Sequence, residues 1–164
     1  MIRLAFLADH GEHVPQLARW HYDEWRTLMP EWSLEEAERD LRTHAAGAVI
    51  PTTVVAFVAG ELAGSASLLP DDFPEWSDYG PWLASVFVEP RFRKQGVGRQ
   101  LVLRIMELAD GLGVPRLHLG TTDQVRFYQQ LGWSVLPAAN PVRPLTLMGW
   151  SPSSRTPAQP LPTN

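Results

Sequence analysis

Apolar positions along this chain change period several times, and each change marks an element. Ile2–Ala8 is an extended apolar run and predicts a first strand. Val14, Leu17, Ala18, His21 and Trp25 then recur at helical spacing, which predicts a helix over about His13–Trp25. Ser33-Leu34-Glu35-Glu36 forms a capping box, in which the Ser33 hydroxyl accepts from the Glu36 backbone and the Glu36 carboxylate reaches back. The helix that follows turns Leu34, Ala37 and Leu41 inward. Val54–Ala59 and Leu62–Leu69 are two apolar runs around Gly60-Glu61, the pattern of a tight hairpin.

Pro70–Pro81 breaks the pattern. It is too long and too aromatic for a plain connector, so it is a candidate substrate loop. Trp82–Val88 is apolar almost throughout, as expected of a strand in the middle of a sheet. Pro90 closes it, a run with two glycines follows, and Leu101, Val102, Ile105, Met106, Leu108 and Leu112 predict an amphipathic helix ended by Gly113. Arg116–Leu119 predicts a short strand, Gly120–Asp123 a turn, and Gln124–Leu131 a helix stopped by Gly132. Trp133–Leu136 and Thr146–Trp150 predict a closing pair of strands joined through Pro137–Pro144. No internal repeat is visible. The order is that of one α/β domain over residues 1–150, a mixed central sheet flanked by helices. Residues 151–164 carry four prolines and almost nothing apolar, and read as a tail that is disordered or lies on the surface.

Composition narrows the class of protein. The chain has 164 residues and no cysteine, which excludes a disulfide framework or a thiolate site and suits the cytoplasm. The apolar start meets Asp9 too soon for a signal peptide, and no run approaches the roughly 20 apolar residues of a membrane span. The net charge of −4 is unevenly spread. Residues 1–89 hold 15 Asp and Glu against 5 Lys and Arg, whereas residues 90–164 hold 3 against 9. The basic half suits an anionic ligand and the acidic half a cationic one. A nucleic-acid binder would instead be basic overall. The histidines His10, His13, His21, His44 and His118 show no metal-ligand spacing, since His10 and His13 lack a third ligand, so no metal is expected.

The chemistry concentrates in Arg93-Lys94-Gln95-Gly96-Val97-Gly98-Arg99, between a strand and a helix. Glycine lets backbone approach a ligand closely, and the N–H groups and dipole of a helix start favour a pyrophosphate. Lys94 is the only lysine in the chain. A Walker loop needs Gly-Lys-Ser/Thr, whereas Gly98 is followed by Arg99-Gln100. A dinucleotide fingerprint needs a third small residue where Leu101 stands. The pattern that fits is Arg/Gln-x-x-Gly-x-Gly/Ala, with Lys94 standing where glycine is usual. About thirty residues on, Tyr128 lies about 100° around the helix from Phe127 and can send its hydroxyl to another edge. A phenol with pKa near 10 is a poor base but a good donor to a departing thiolate.

These two segments together resemble the GCN5-related N-acetyltransferase (GNAT) superfamily over roughly Ile2–Trp150, most specifically from Trp82 to Trp133. The resemblance implies a sheet splayed at an acetyl-coenzyme A site and direct acetyl transfer to an amine. It also implies that the backbone of Phe87 and Val88 pairs with the pantetheine arm and that Arg93–Gly98, with Arg99, holds the pyrophosphate. Tyr128 would protonate the leaving thiolate. Thr122–Tyr128 further resembles the actin N-terminal acetyltransferase branch.

The base is not fixed by the pattern. Family members often carry a carboxylate on the central strand, but Ser85 is its only polar side chain here, and Glu89 sits beyond its end. His21, Glu24, Asp71 and Asp72 are the candidates. Trp76 and Tyr79, beside the loop acids, are candidates for a pocket in which a cation meets ring faces. The expected acceptor is therefore a small cationic amine. A peptide N-terminus is the alternative, and a non-catalytic coenzyme-binding sensor is the reading from another class. The oligomeric state stays open, a homodimer included.

Overall fold

The computed structural model describes residues 1–152. Seven strands form one sheet in the order β1-β2-β3-β4-β5-β7-β6. The elements are β1 (Ile2–Phe6), α1 (Val14–Trp25), α2 (Leu34–His44), β2 (Thr52–Val58), β3 (Glu61–Leu69), β4 (Trp82–Val88), α3 (Val97–Gly111), β5 (Leu117–Thr121), α4 (Val125–Gln130), β6 (Ser134–Ala139) and β7 (Thr146–Trp150). Every pairing is antiparallel except β4 with β5. The sheet is therefore mixed.

Burial on both faces explains why the central strands are apolar without a break. Along β2, Val54 and Ala56 belong to the core beneath α3, while Val55 and Phe57 belong to the core beneath α1 and α2. α3 contributes Leu101, Val102 and Ile105, all without solvent exposure. Burying each such side chain stabilises the fold by about 1.5–3 kcal/mol. α2 begins at the capping box, with Glu36 N donating to Ser33 Oγ at 3.1 Å and Ser33 N to Glu36 Oε2 at 2.8 Å.

Element limits moved where tertiary packing overrode local pattern. β1 stops at Phe6, and Leu7–Asp9 form a 3-10 turn. β5 runs through Gly120 to Thr121, where a turn was expected. A Cβ at Gly120 would lie 3.0 Å from Phe73 and 3.1 Å from Trp76, so these rings pack directly on the strand backbone. β6 continues through Pro137 because it is the edge strand, where a missing N–H costs no ladder bond. Ser151 is exposed and Pro152 buried, and the rest of the expected tail lies outside the described residues. Among the described residues no helix is long and apolar enough to cross a membrane.

Candidate active site

β4 and β5 separate, and that separation makes the site. They pair only at Trp82↔His118, with His118 N donating to Pro81 O at 3.0 Å. Beyond that point a cleft of about 1470 Å³ opens, walled by Leu83–Val88 on one side and Leu119–Thr121 on the other. A bulge helps to drive the split. The β3–β4 register shifts between Ser65 and Ser67, and Ser85 opposite them has φ +53°. Such a bulge bends its strand and increases its twist. Ser85 lines the cleft, and its carbonyl accepts from Ser65 Oγ at 3.5 Å.

The glycine-bearing run meets this cleft from the α3 side. Gly96 caps α3 at φ +85°, and no side chain satisfies the first-turn N–H groups. A Cβ built on Gly96 meets nothing within 4 Å, and one on Gly98 meets Val88 Cγ2 at 3.5 Å and Phe127 Cζ at 3.8 Å. The backbone here borders open space. Arg93, Lys94, Val97 and Arg99 line the cleft with the two glycines. Lys94 has φ +62°, which gives the physical reason why glycine is usual at that position. Gln95 does not line the cleft; its Nε2 donates to Arg91 O at 3.2 Å. Phe87 and Val88 border the cleft on β4, and the Val88 carbonyl already accepts from Arg93 Nε at 3.0 Å.

Tyr128 sits at the wall opposite β4, carried by α4. The Thr121 hydroxyl accepts from Gln124 N at 3.0 Å and so fixes the turn into that helix. The Tyr128 ring is buried against Phe127 and Trp133 at centroid distances of 5.0 and 6.1 Å. Burial pushes its phenol above the ordinary value, so it keeps its proton throughout the neutral range.

The cleft wall also carries acidic residues. His21, Glu24, Asp71 and Asp72 all line it. His21 is buried, its Nε2 lies 2.8 Å from Ser65 Oγ, and its ring meets Trp25 and Phe87 edge-on. Desolvation, then the nearby His44, lowers its pKa to about 3, so the ring is neutral. Asp72 moves the other way. Burial first, then the negative charge of Glu75, raise its carboxyl to about 7 against the pull of Arg143. Glu89 turns from the cleft to bond Arg91 N at 2.9 Å.

Two sequence expectations need correction. Trp76 does not line the cleft. It is 4% exposed, stacked on Trp82 at 6.2 Å and packed with Phe73 and Leu147, because the apolar end of the sheet needs a cover. Tyr79 packs on His118 at 5.4 Å rather than in the cleft. The loop acids also have a cation beside them that local sequence did not reveal. Arg143, from the β6–β7 connection, bonds both Glu75 oxygens at 2.6 Å and donates to Leu28 O at 3.2 Å. It also pairs with Glu31. A second grouping lies away from the cleft: Glu12 Oε1 stands 3.5 Å from His10 Nδ1 and 3.6 Å from His13 Nε2, supplying a third polar group that the spacing of the histidines had not named.

Comparisons agree with this geometry. The model of the acetyltransferase (GNAT) family matches residues 14–133. Among solved structures, an acetyltransferase from Streptococcus agalactiae superposes with TM-score 0.67 at 19% identity, covering 92% of this chain and 98% of the other. A PaiA N-acetyltransferase from Thermoplasma acidophilum, in complex with coenzyme A, gives 0.66 at 17% over 92% and 99%. A ribosomal-protein-alanine N-acetyltransferase from Brucella melitensis gives 0.66 at 22% over 92% and 99%. These likenesses show the fold. No curated protein matches the chain at a significant level.

Proposed function

Because the chain belongs to the acetyltransferase (GNAT) family, whose model spans most of it, we propose that its cleft receives acetyl-coenzyme A at the α3 end and a small cationic amine at the Asp71–Asp72 end. Family membership makes it an N-acetyltransferase that works from acetyl-coenzyme A. The co-substrate supplies an activated acetyl thioester, and the residues present suit it. The uncapped first turn of α3 and the open space at Gly96 and Gly98 favour a pyrophosphate, with Arg93, Lys94 and Arg99 adding positive charge. The exposed edge of β4 at Phe87 and Val88 is assigned to the pantetheine arm, with Arg93 giving up its bond to the Val88 carbonyl. Tyr128 is assigned as the donor to the departing thiolate, a role that needs a phenol still protonated at neutral pH. The acetyltransferase unit is assigned to residues 1–150.

One observation carries the acceptor: a single cleft is lined both by Arg93, Lys94 and Arg99, which follow β4, and by Asp71 and Asp72, which precede it, with Glu24 from α1. Arg143 neutralises Glu75, so the acceptor end is less acidic than the loop composition alone suggests. The remaining carboxylates still favour an ammonium over an acidic peptide. The test compares acetylation of spermidine, an aminoglycoside and acidic N-terminal peptides at two salt concentrations. Preference for the cationic amines, weakened by salt, supports the reading. Preference for the acidic peptides overturns it, and coenzyme binding without turnover on any amine favours a sensor.

A further inference from the structure

Six carboxylates line the cleft: Glu24, Glu31, Asp40, Asp71, Asp72 and Asp123. Five of them are exposed, and Asp72 is half-buried. It is also without a hydrogen bond or salt bridge to any described residue. The residues that follow it in the loop are held in place. Phe73, the next residue, packs on Trp76 and Trp82, and Glu75 is pinned by Arg143 and by Asn140 Nδ2 at 2.9 Å. The loop thus presents a half-buried carboxylate without a hydrogen-bond partner among the described residues at the wall of the cleft.

We propose that Asp72 takes the proton from the acceptor's ammonium, leaving the neutral amine that attacks. This assignment rests on the acetyltransferase reading of the cleft. The N–H bond of the ammonium breaks, an O–H bond forms on Asp72, and the proton later passes to solvent. The other candidates fail on physical grounds. His21 holds Ser65 and is too weak a base, with its pKa lowered to about 3. Glu24 and Asp71 are exposed, so bulk water rather than the protein surrounds their carboxylates. His44 is engaged with Thr53 Oγ1 at 3.2 Å, and desolvation lowers its basicity.

The charged groups around Asp72 set when it can act. Desolvation and Glu75 raise its carboxyl, and Arg143, shared with Glu31, pulls it down. Asp71 and, from the helices, Glu24 and His21 of α1 and Asp40 and His44 of α2 are further ionisable groups that line the cleft. The balance falls at about 7, so near neutral pH about half of the group is ionised and able to take a proton. β4 contains no carboxylate, and the preceding loop brings Asp71 and Asp72 to the cleft.

The test has one arm that needs no acceptor. In the full chain with 13C-labelled aspartate carboxyls, the resonance missing from Asp72→Asn should titrate near neutrality, and one that titrates near pH 4 overturns the proposal. The second arm follows kcat/KM against pH with acetyl-coenzyme A and whichever of spermidine, an aminoglycoside or a peptide amine turns over. Wild type should show a limb near pH 7, separate from the amine's own ionisation near pH 10. Asp72→Asn should lose about 10²–10⁴-fold and that limb with it, and Asp72→Glu should recover part. A variant that keeps both rate and limb overturns the assignment. Calorimetric binding of acetyl-coenzyme A separates the two levels of the account: Asp72→Asn should bind as wild type does, whereas a wild type that does not bind refutes the coenzyme reading itself.

Discussion

Arg143 and Glu75 stand 68 residues apart in sequence, and Arg143 Nη1 donates to both Glu75 oxygens at 2.6 Å, each side chain only 8% exposed. The pair joins the β6–β7 connection to the loop before β4, and through Leu28 and Glu31 it also joins the connection after α1. All three connections contribute lining residues to the cleft.

Breaking that pair should be costly. Glu75→Ala leaves a buried guanidinium without its main partner, and loss of about 3–5 kcal/mol in urea unfolding is expected. Desolvation alone would raise the Glu75 carboxyl, but hydrogen bonds from Arg143 and Asn140 outweigh it and hold the group below its ordinary value. The stabilisation is therefore present above the unfolded value of about 4.3 and is lost as pH falls through the folded one. Wild type should lose more stability than Glu75→Ala on acidification, and parallel losses would show that the pair contributes nothing.

Lys94 should behave as a residue kept for charge against backbone preference. Lys94→Gly removes a side chain from φ +62° and should gain about 1 kcal/mol of stability. Acetyl-coenzyme A affinity should fall roughly two- to fivefold at low salt and less at high salt. Chemical unfolding and calorimetry at two ionic strengths check both halves. Unchanged affinity would leave Lys94 outside the phosphate site.

Tyr128→Phe keeps the ring contacts with Phe127 and Trp133 and removes only the proton donor. Turnover should fall about 10²–10⁴-fold, with coenzyme affinity nearly unchanged. Full turnover, with chemistry shown to limit the rate, would return Tyr128 to packing.

Local rules explain what was legible in the sequence. The Ser33–Glu36 capping box involves residues three apart and formed as read. The apolar run Trp82–Val88 demanded burial on both faces, and β4 is central. The Gly96–Gly98 run was legible because a helix start beside a strand end is a sequence-local event. Partners distant in sequence were not legible. Nothing near Glu75 announces Arg143, and the shielding of Asp72 depends on loops brought together only by folding. Trp76 misled because an aromatic beside acids suits a cation pocket as well as a core, and only the position of Trp82 and Leu147 decides. The left-handed backbone at Ser85 had no sequence signal, since serine carries none of glycine's preference for positive φ.

The most direct test of the central claim is calorimetric titration of acetyl-coenzyme A into wild type and Gly98→Glu. The first carbons of the new side chain fit, since a Cβ at Gly98 meets Val88 and Phe127 no closer than 3.5 Å. Its carboxylate then enters the space assigned to the pyrophosphate and repels it. The account predicts saturable one-site binding to wild type and none to Gly98→Glu, with both proteins showing the same circular dichroism. Equal affinity in the two proteins would contradict it.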